Sequence, residues 1–211
     1  MDFDKNELEI LKKLNTPVKI QNFLDTLNVN FEEKGETCMS PRQVLRENKA
    51  HCIEAALLAS AALRFHGQPP LIVDLEANAK DYDHVIAVFK QHNHWGAIGK
   101  TNRATLRYRE PVYKTIRELV MSYFHEYFLN KNGAKTLRRY SLPVNLKRFD
   151  KKRWMTSEED VWYIADYLVG VKHYNILNKK QIAGLRKADK IEIEAGKLVE
   201  QKDPVKRENS I

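Results

Sequence analysis

The chain has 211 residues, 43% of them hydrophobic, enough to bury a full-sized core as one domain with appendages. Its formal net charge of +8 permits an acidic partner but does not name one. The opening Met1-Asp2-Phe3-Asp4-Lys5-Asn6-Glu7 has no apolar signal region, and no run reaches the roughly 18 apolar residues of a membrane span. A cytoplasmic protein with no membrane contact is therefore expected, and with it two free thiols, Cys38 and Cys52.

Residues 1–39 read as an N-terminal helical segment. Leu8, Ile10, Leu11 and Leu14 mark a short amphipathic helix over 7–14. Thr16-Pro17 starts a second, with Ile20, Phe23, Leu24 and Leu27 on one face. A polar loop leads to Ser40-Pro41-Arg42-Gln43, a capping box with Pro at the first helical position. That short helix ends near Glu47-Asn48. The next is expected from about Ala50 to Phe65, which puts Cys52 two or three residues inside it. It is apolar nearly all round, as a helix in the centre of a domain must be. Gly67 and Pro69-Pro70 stop it.

Three β-branched runs follow, over 71–75, 84–89 and 94–98, with His92-Asn93-His94 as a tight hairpin turn. The middle run is apolar on both faces and should be a central strand. From Lys100 to Trp154 basic residues greatly outnumber acidic ones. Within this stretch Pro111 is expected to open a helix carrying Val112, Ile116, Leu119, Val120, Tyr123, Phe124 and Tyr127. Ser157 and Asp160 cap a further helix, and an extended piece at 173–177 precedes a short helix near 179–188. Residues 103–199 thus read as a helical and basic extension packed on the core, and 200–211 as a flexible tail.

Chemistry concentrates at Cys52 and His84. The positive end of a helix favours the thiolate, and its backbone N–H groups can hold a developing oxyanion. His84 opens an apolar strand, from which an imidazole can project toward a helix start. Together they supply what a Cys–His hydrolase or acyl-transfer site needs. His51 adjoins the thiol in sequence but is expected to point elsewhere, and His92 and His94 belong to a hairpin turn. No C-x-x-C or H-E-x-x-H spacing calls for a metal, and nothing calls for a cofactor.

The order of parts resembles the core of the transglutaminase-like superfamily, within the papain-like thiol enzymes. Leu63-Arg64-Phe65-His66-Gly67-Gln68-Pro69 is similar to the Leu-Arg-x-x-Gly-x-Pro phrase that ends that family's Cys-bearing helix. His84-Val85-Ile86-Ala87-Val88 fits its catalytic His strand, and Trp95-Gly96-Ala97-Ile98 its Trp-containing strand. The resemblance covers residues 40–102. It implies an α+β fold: a papain/transglutaminase-like core whose central helix packs on a small antiparallel sheet, with additional helices around it. It also implies Cys52 as nucleophile and His84 as acid and base. The family's imidazole-orienting Asp falls at Gly99, which leaves Asn102, or Asp74 on the preceding strand, to take that role.

The leading expectation is a thiol enzyme acting on an amide or ester of a peptide, protein or small molecule. A non-catalytic binding domain on the same fold is the alternative. A third reading is non-specific contact with nucleic acid or another polyanion, since Tyr108, Tyr113, Tyr140, Phe149 and Trp154 interleave with the basic residues.

Overall fold

The computed structural model of the chain describes residues 2–204. Helices α1 (Lys5–Lys13) and α2 (Pro17–Thr26) are capped by Asp4 and Thr16, whose side chains accept from Glu7 N and Lys19 N. A short strand β1 (Asn28–Val29) follows, then α3 (Pro41–Glu47), whose capping box joins Ser40 and Gln43 as the sequence predicts. Asn48 ends α3 in the left-handed conformation (φ 52°) that Asn tolerates better than most residues. The turn it makes sends Lys49–Ala50 off as β2, parallel to β1.

Because Lys49 and Ala50 are held in that strand pair, the central helix α4 (Cys52–Phe65) starts later than its composition suggests. His51 is its N-cap and Cys52 its first residue, not its second or third. Every residue from Ala55 to Leu63 is buried.

Strands β3 (Leu71–Ala77), β4 (His84–Gln91) and β5 (His94–Ile98) form the expected antiparallel meander. His92 and Asn93 both have positive φ (48° and 63°), the geometry of a two-residue turn whose twist matches the strands it joins. The sheet then extends in both directions. β6 (Arg109–Tyr113) pairs with β5, and after α5 (Ile116–Phe124) come β7 (Leu137–Ser141) and β8 (Val144–Asn145), both on β3. A 3-10 segment, Leu146–Lys152, leads to α6 (Trp162–Gly170), and β9 (His173–Asn175) closes the far edge on β7. The order is β6-β5-β4-β3-β7-β9, every pairing antiparallel. Two short helices, α7 (Lys179–Ala183) and α8 (Lys190–Gly196), follow.

The fold is therefore α+β. One sheet face (Ile72, Val85, Ala87, Phe89, Ile98) packs with α4, and the other (Val73, Leu75, Ile86, Val88, Ala97) with α5. Burial on both sides explains why β4 is apolar at consecutive positions.

The 103–199 stretch differs from the expectation. It supplies four strands to the same sheet in addition to helices. Pro111 lies in β6, not in a helix. An edge strand tolerates proline because its missing N–H costs no ladder bond, and α5 begins only after its cap, Thr115. Tyr140, Phe149 and Trp154 are buried in the core, so they offer no stacking platform for bases. Of the expected tail, residues 200–204 lie among the described ones, and their first two are held. Glu200 N donates to Asn102 O at 2.9 Å, and Gln201 bonds to both Asn102 and Val29. Residues 205–211 lie outside the described residues. Among the described residues no helix is long and apolar enough to cross a membrane.

Candidate active site

Three elements converge on a cavity of about 340 Å³: the start of α4, the start of β4, and the segment just beyond β5. Cys52, His51, His84, Tyr82, Leu106 and Tyr127 line it. The structure thus brings Cys52, His84 and His51 together at one cavity. Burial alone would raise the Cys52 pKa. The two imidazoles outweigh it and hold the thiol well below its ordinary value. Cys38 shows the opposite case. It is fully buried with no cationic partner, and burial followed by the nearby Glu54 carboxylate pushes its thiol up to about 12.

His51 is not directed away from the thiol as its place in sequence suggests. Its Nε2 lies 3.0 Å from the Thr37 carbonyl oxygen and 3.3 Å from Glu54 Oε1. A carbonyl only accepts, so this nitrogen carries the hydrogen. Glu54 is fully buried in the first turn of α4. Its carboxylate accepts from Thr37 Oγ1 (2.7 Å), Met39 N (3.0 Å), His51 N (2.9 Å) and Asn30 Nδ2 (3.0 Å). Burial would raise its pKa, but His51 and these donors bring it down to about 2.

His84 has no comparable support. Leu75 is its cross-strand partner, which places its side chain on the sheet face of Ile86 and Gly99. Its Nε2 is buried and has no hydrogen-bond partner among the described residues. A Cβ added at Gly99 would sit 3.5 Å from that nitrogen, in ordinary van der Waals contact. The position expected to hold an orienting carboxylate is therefore next to His84, and glycine leaves it without one.

Neither residue expected to replace that carboxylate does so. Asn102 lines the cavity, but both ends of its carboxamide are taken: Nδ2 donates to Gln201 O and Oδ1 accepts from Gln201 N, each at 2.9 Å. Asp74 is directly opposite Val85, on the other face of the sheet from His84. There its Oδ2 pairs with His173 Nε2 at 2.9 Å. Burial raises the Asp74 carboxyl to about 6 despite that partner, with Asp83 adding to the shift. Gln21 brackets Gly99, donating to its carbonyl (2.9 Å) and accepting from its N–H (3.1 Å). Both bonds hold the backbone and neither reaches the imidazole.

The residues the sequence reading missed are His51 as a thiol partner and Glu54 as its anchor. Glu54 at the third position of the helix, after a polar N-cap, was the available signal. No family model matches the chain, and no curated protein matches it.

Proposed function

We propose that the chain is a transglutaminase-like thiol hydrolase or acyltransferase, acting on an amide or ester through Cys52 and His84, on a papain/transglutaminase-like core. The observation that carries the reading is a partly exposed thiol at the first position of a buried helix, facing a cavity that the imidazole opening β4 also lines. The Cys52 thiolate attacks the acyl carbon, and the carbonyl π pair moves to oxygen. The first-turn N–H groups of α4, which have no intrahelical acceptor, are placed to receive that oxyanion. Collapse expels the amine or alcohol, which takes its proton from the His84 imidazolium and leaves a thioester. Water or an amine then attacks the thioester, gives its proton to His84, and releases Cys52 as thiolate.

A non-catalytic binding domain on the same architecture is the second reading, and one observation favours it: His84 Nε2 is buried without a partner beside Gly99. The two separate in an acyl-transfer assay with p-nitrophenyl acetate. The enzyme reading expects a burst of one acyl group per chain, mapped to Cys52 by mass spectrometry and followed by turnover. His84→Ala should leave an acyl-enzyme that turns over at least tenfold more slowly. A folded protein whose Cys52 is not acylated would give the second reading its place.

A further inference from the structure

The thiol has two imidazoles, and the structure treats them differently. His51 Nε2 faces oxygen acceptors alone, Thr37 O at 3.0 Å, Glu54 Oε1 at 3.3 Å and Glu32 Oε1 at 3.6 Å, so its Nε2–H is satisfied in the charged and the neutral ring alike. Charging His51, next in sequence to the thiol, places a second N–H on Nδ1, and the resulting cation lies against a buried carboxylate. For His84 the same step would enclose an unpaired Nε2–H, since no acceptor is bonded there among the described residues. An uncompensated buried donor is costly, and more so when the group is charged. The resting charge therefore belongs on the ring with the acceptors.

Building on the thiol-enzyme reading, we propose that His51, oriented by Glu54, is the cationic partner that holds the Cys52 thiolate. For acylation the proton passes from His51 by way of the shared Sγ to His84, which gives it to the leaving group. In deacylation His84 takes one from the attacking water or amine and returns it to His51 by the same route. Carboxylate, imidazole and thiol follow one another as Glu54, His51 and Cys52 within four consecutive positions, which is the arrangement of an orienting acid, a ring and a nucleophile. The order is compressed into a helix cap because the N-cap residue and the third helical residue face each other. His51 also keeps a raised pKa: burial disfavours its cation, but the Cys52 and Glu54 bonds more than compensate.

The other charged groups around the thiol do not fill this role. Asp83 accepts from Ala77 N at 2.8 Å, and as an anion it opposes a thiolate, as does Asp74. Tyr127 is spent on the carbonyls of Leu75 and Tyr82. The Lys100 ammonium, the cation nearest in sequence to Gly99, is bonded to Leu24 O (2.9 Å) and Leu27 O (2.8 Å). Arg103 also lines the cavity, where burial lowers its pKa and Asp81 acts to raise it, and its guanidinium donates to Gly196 O (3.2 Å).

The test is the pH profile of Cys52 alkylation by iodoacetamide, read together with thiolate absorbance at 240 nm. Wild type, His51→Gln, His51→Asn, Glu54→Gln and His84→Gln are compared. Asn is itself a favoured N-cap, so His51→Asn keeps the helix start where His51→Gln weakens it. We expect both His51 variants to lose at least tenfold in alkylation rate at pH 6.5, with the apparent thiol pKa moving toward the free value of about 8.5. Glu54→Gln should shift it in the same direction by less, and His84→Gln should move it least while abolishing turnover of the acyl-enzyme. Melting curves establish that each variant is folded, and a packing defect alone does not move a titration. If His84→Gln removes the thiolate and the His51 variants keep it, the assignment to His51 is overturned while the thiol-enzyme reading stands. A wild-type Cys52 with no thiolate near neutrality overturns both.

Discussion

Gly99→Asp tests directly whether the site lacks its orienting group. The added Cβ meets Ile86 Cγ2 at 3.4 Å, His84 Nε2 at 3.5 Å and Leu106 O at 3.6 Å, so it fits without displacing a neighbour. From there a carboxylate can accept from His84 Nε2, the atom now buried without a partner. A hydrogen bond to a charged group contributes about 1.5–3 kcal/mol. Against it stand the desolvation of a new carboxylate and repulsion from the Leu106 carbonyl, which together offset roughly half. About 1 kcal/mol then remains to stabilise the His84 imidazolium in the transition state, roughly a fivefold rate change. The assay is single-turnover hydrolysis of the Cys52 acyl-enzyme near pH 7. We expect about a fivefold faster rate in Gly99→Asp than in wild type, and Gly99→Ala, which adds the Cβ without an acceptor, should match wild type. If both variants are folded and hydrolyse at one rate, His84 does not need an acceptor at that position and the reasoning fails.

Three further outcomes follow from packing and charge. Gly96→Ala would place a Cβ 2.5 Å from Phe89 Cζ and 2.8 Å from the Arg109 carbonyl oxygen. The β5–β6 pairing must shift, and a loss of about 1–3 kcal/mol is expected in urea unfolding; an unchanged midpoint would show that the edge strand yields freely. Glu54 is brought down from the ordinary 4.5 to about 2 by folding, so it contributes roughly 3 kcal/mol. Because the folded value is depressed, that contribution is fully present above pH 4.5 and is lost as pH falls toward 2. Glu54→Gln should be less stable at pH 7 and flatter across this window, and parallel acid profiles for the two proteins would refute the assignment. Cys38, fully buried with its thiol pushed up to about 12, should resist alkylation at pH 8 until the chain unfolds, whereas Cys52 labels in the native state.

Much of the frame was legible in the sequence because its signals are local. Ser40-Pro41-Arg42-Gln43 sets a helix start within four residues, since the cap and the third helical residue satisfy each other's backbone. The all-round apolar surface of α4 and the doubly apolar β4 announce a central helix and a central strand whatever surrounds them. Cys52 at a helix start and His84 at a strand start were legible on the same grounds, and the α4–β3–β4 order brings them to one cavity.

Partners distant in sequence decided the rest. β7 is disguised by Arg138 and Arg139 and becomes a strand only because β3, some sixty residues earlier, offers it a ladder (Leu75 opposite Tyr140). Asn102 has a suitable side chain for orienting His84, yet Gln201 claims both ends of it. Asp74 points to the wrong sheet face, a consequence of strand register that Val85 and Leu75 fix together. His51 acquired its role from Thr37 and from β2, which halts α4 one residue before the thiol. A cap needs only its own turn, so the start of α3 was readable from four residues. By contrast, α4 and α5 begin later than their residues suggest because β2 and β6 claim the positions before them. Which polar group a side chain finally satisfies depends on which distant backbone arrives beside it, and strand pairing across the whole fold sets that.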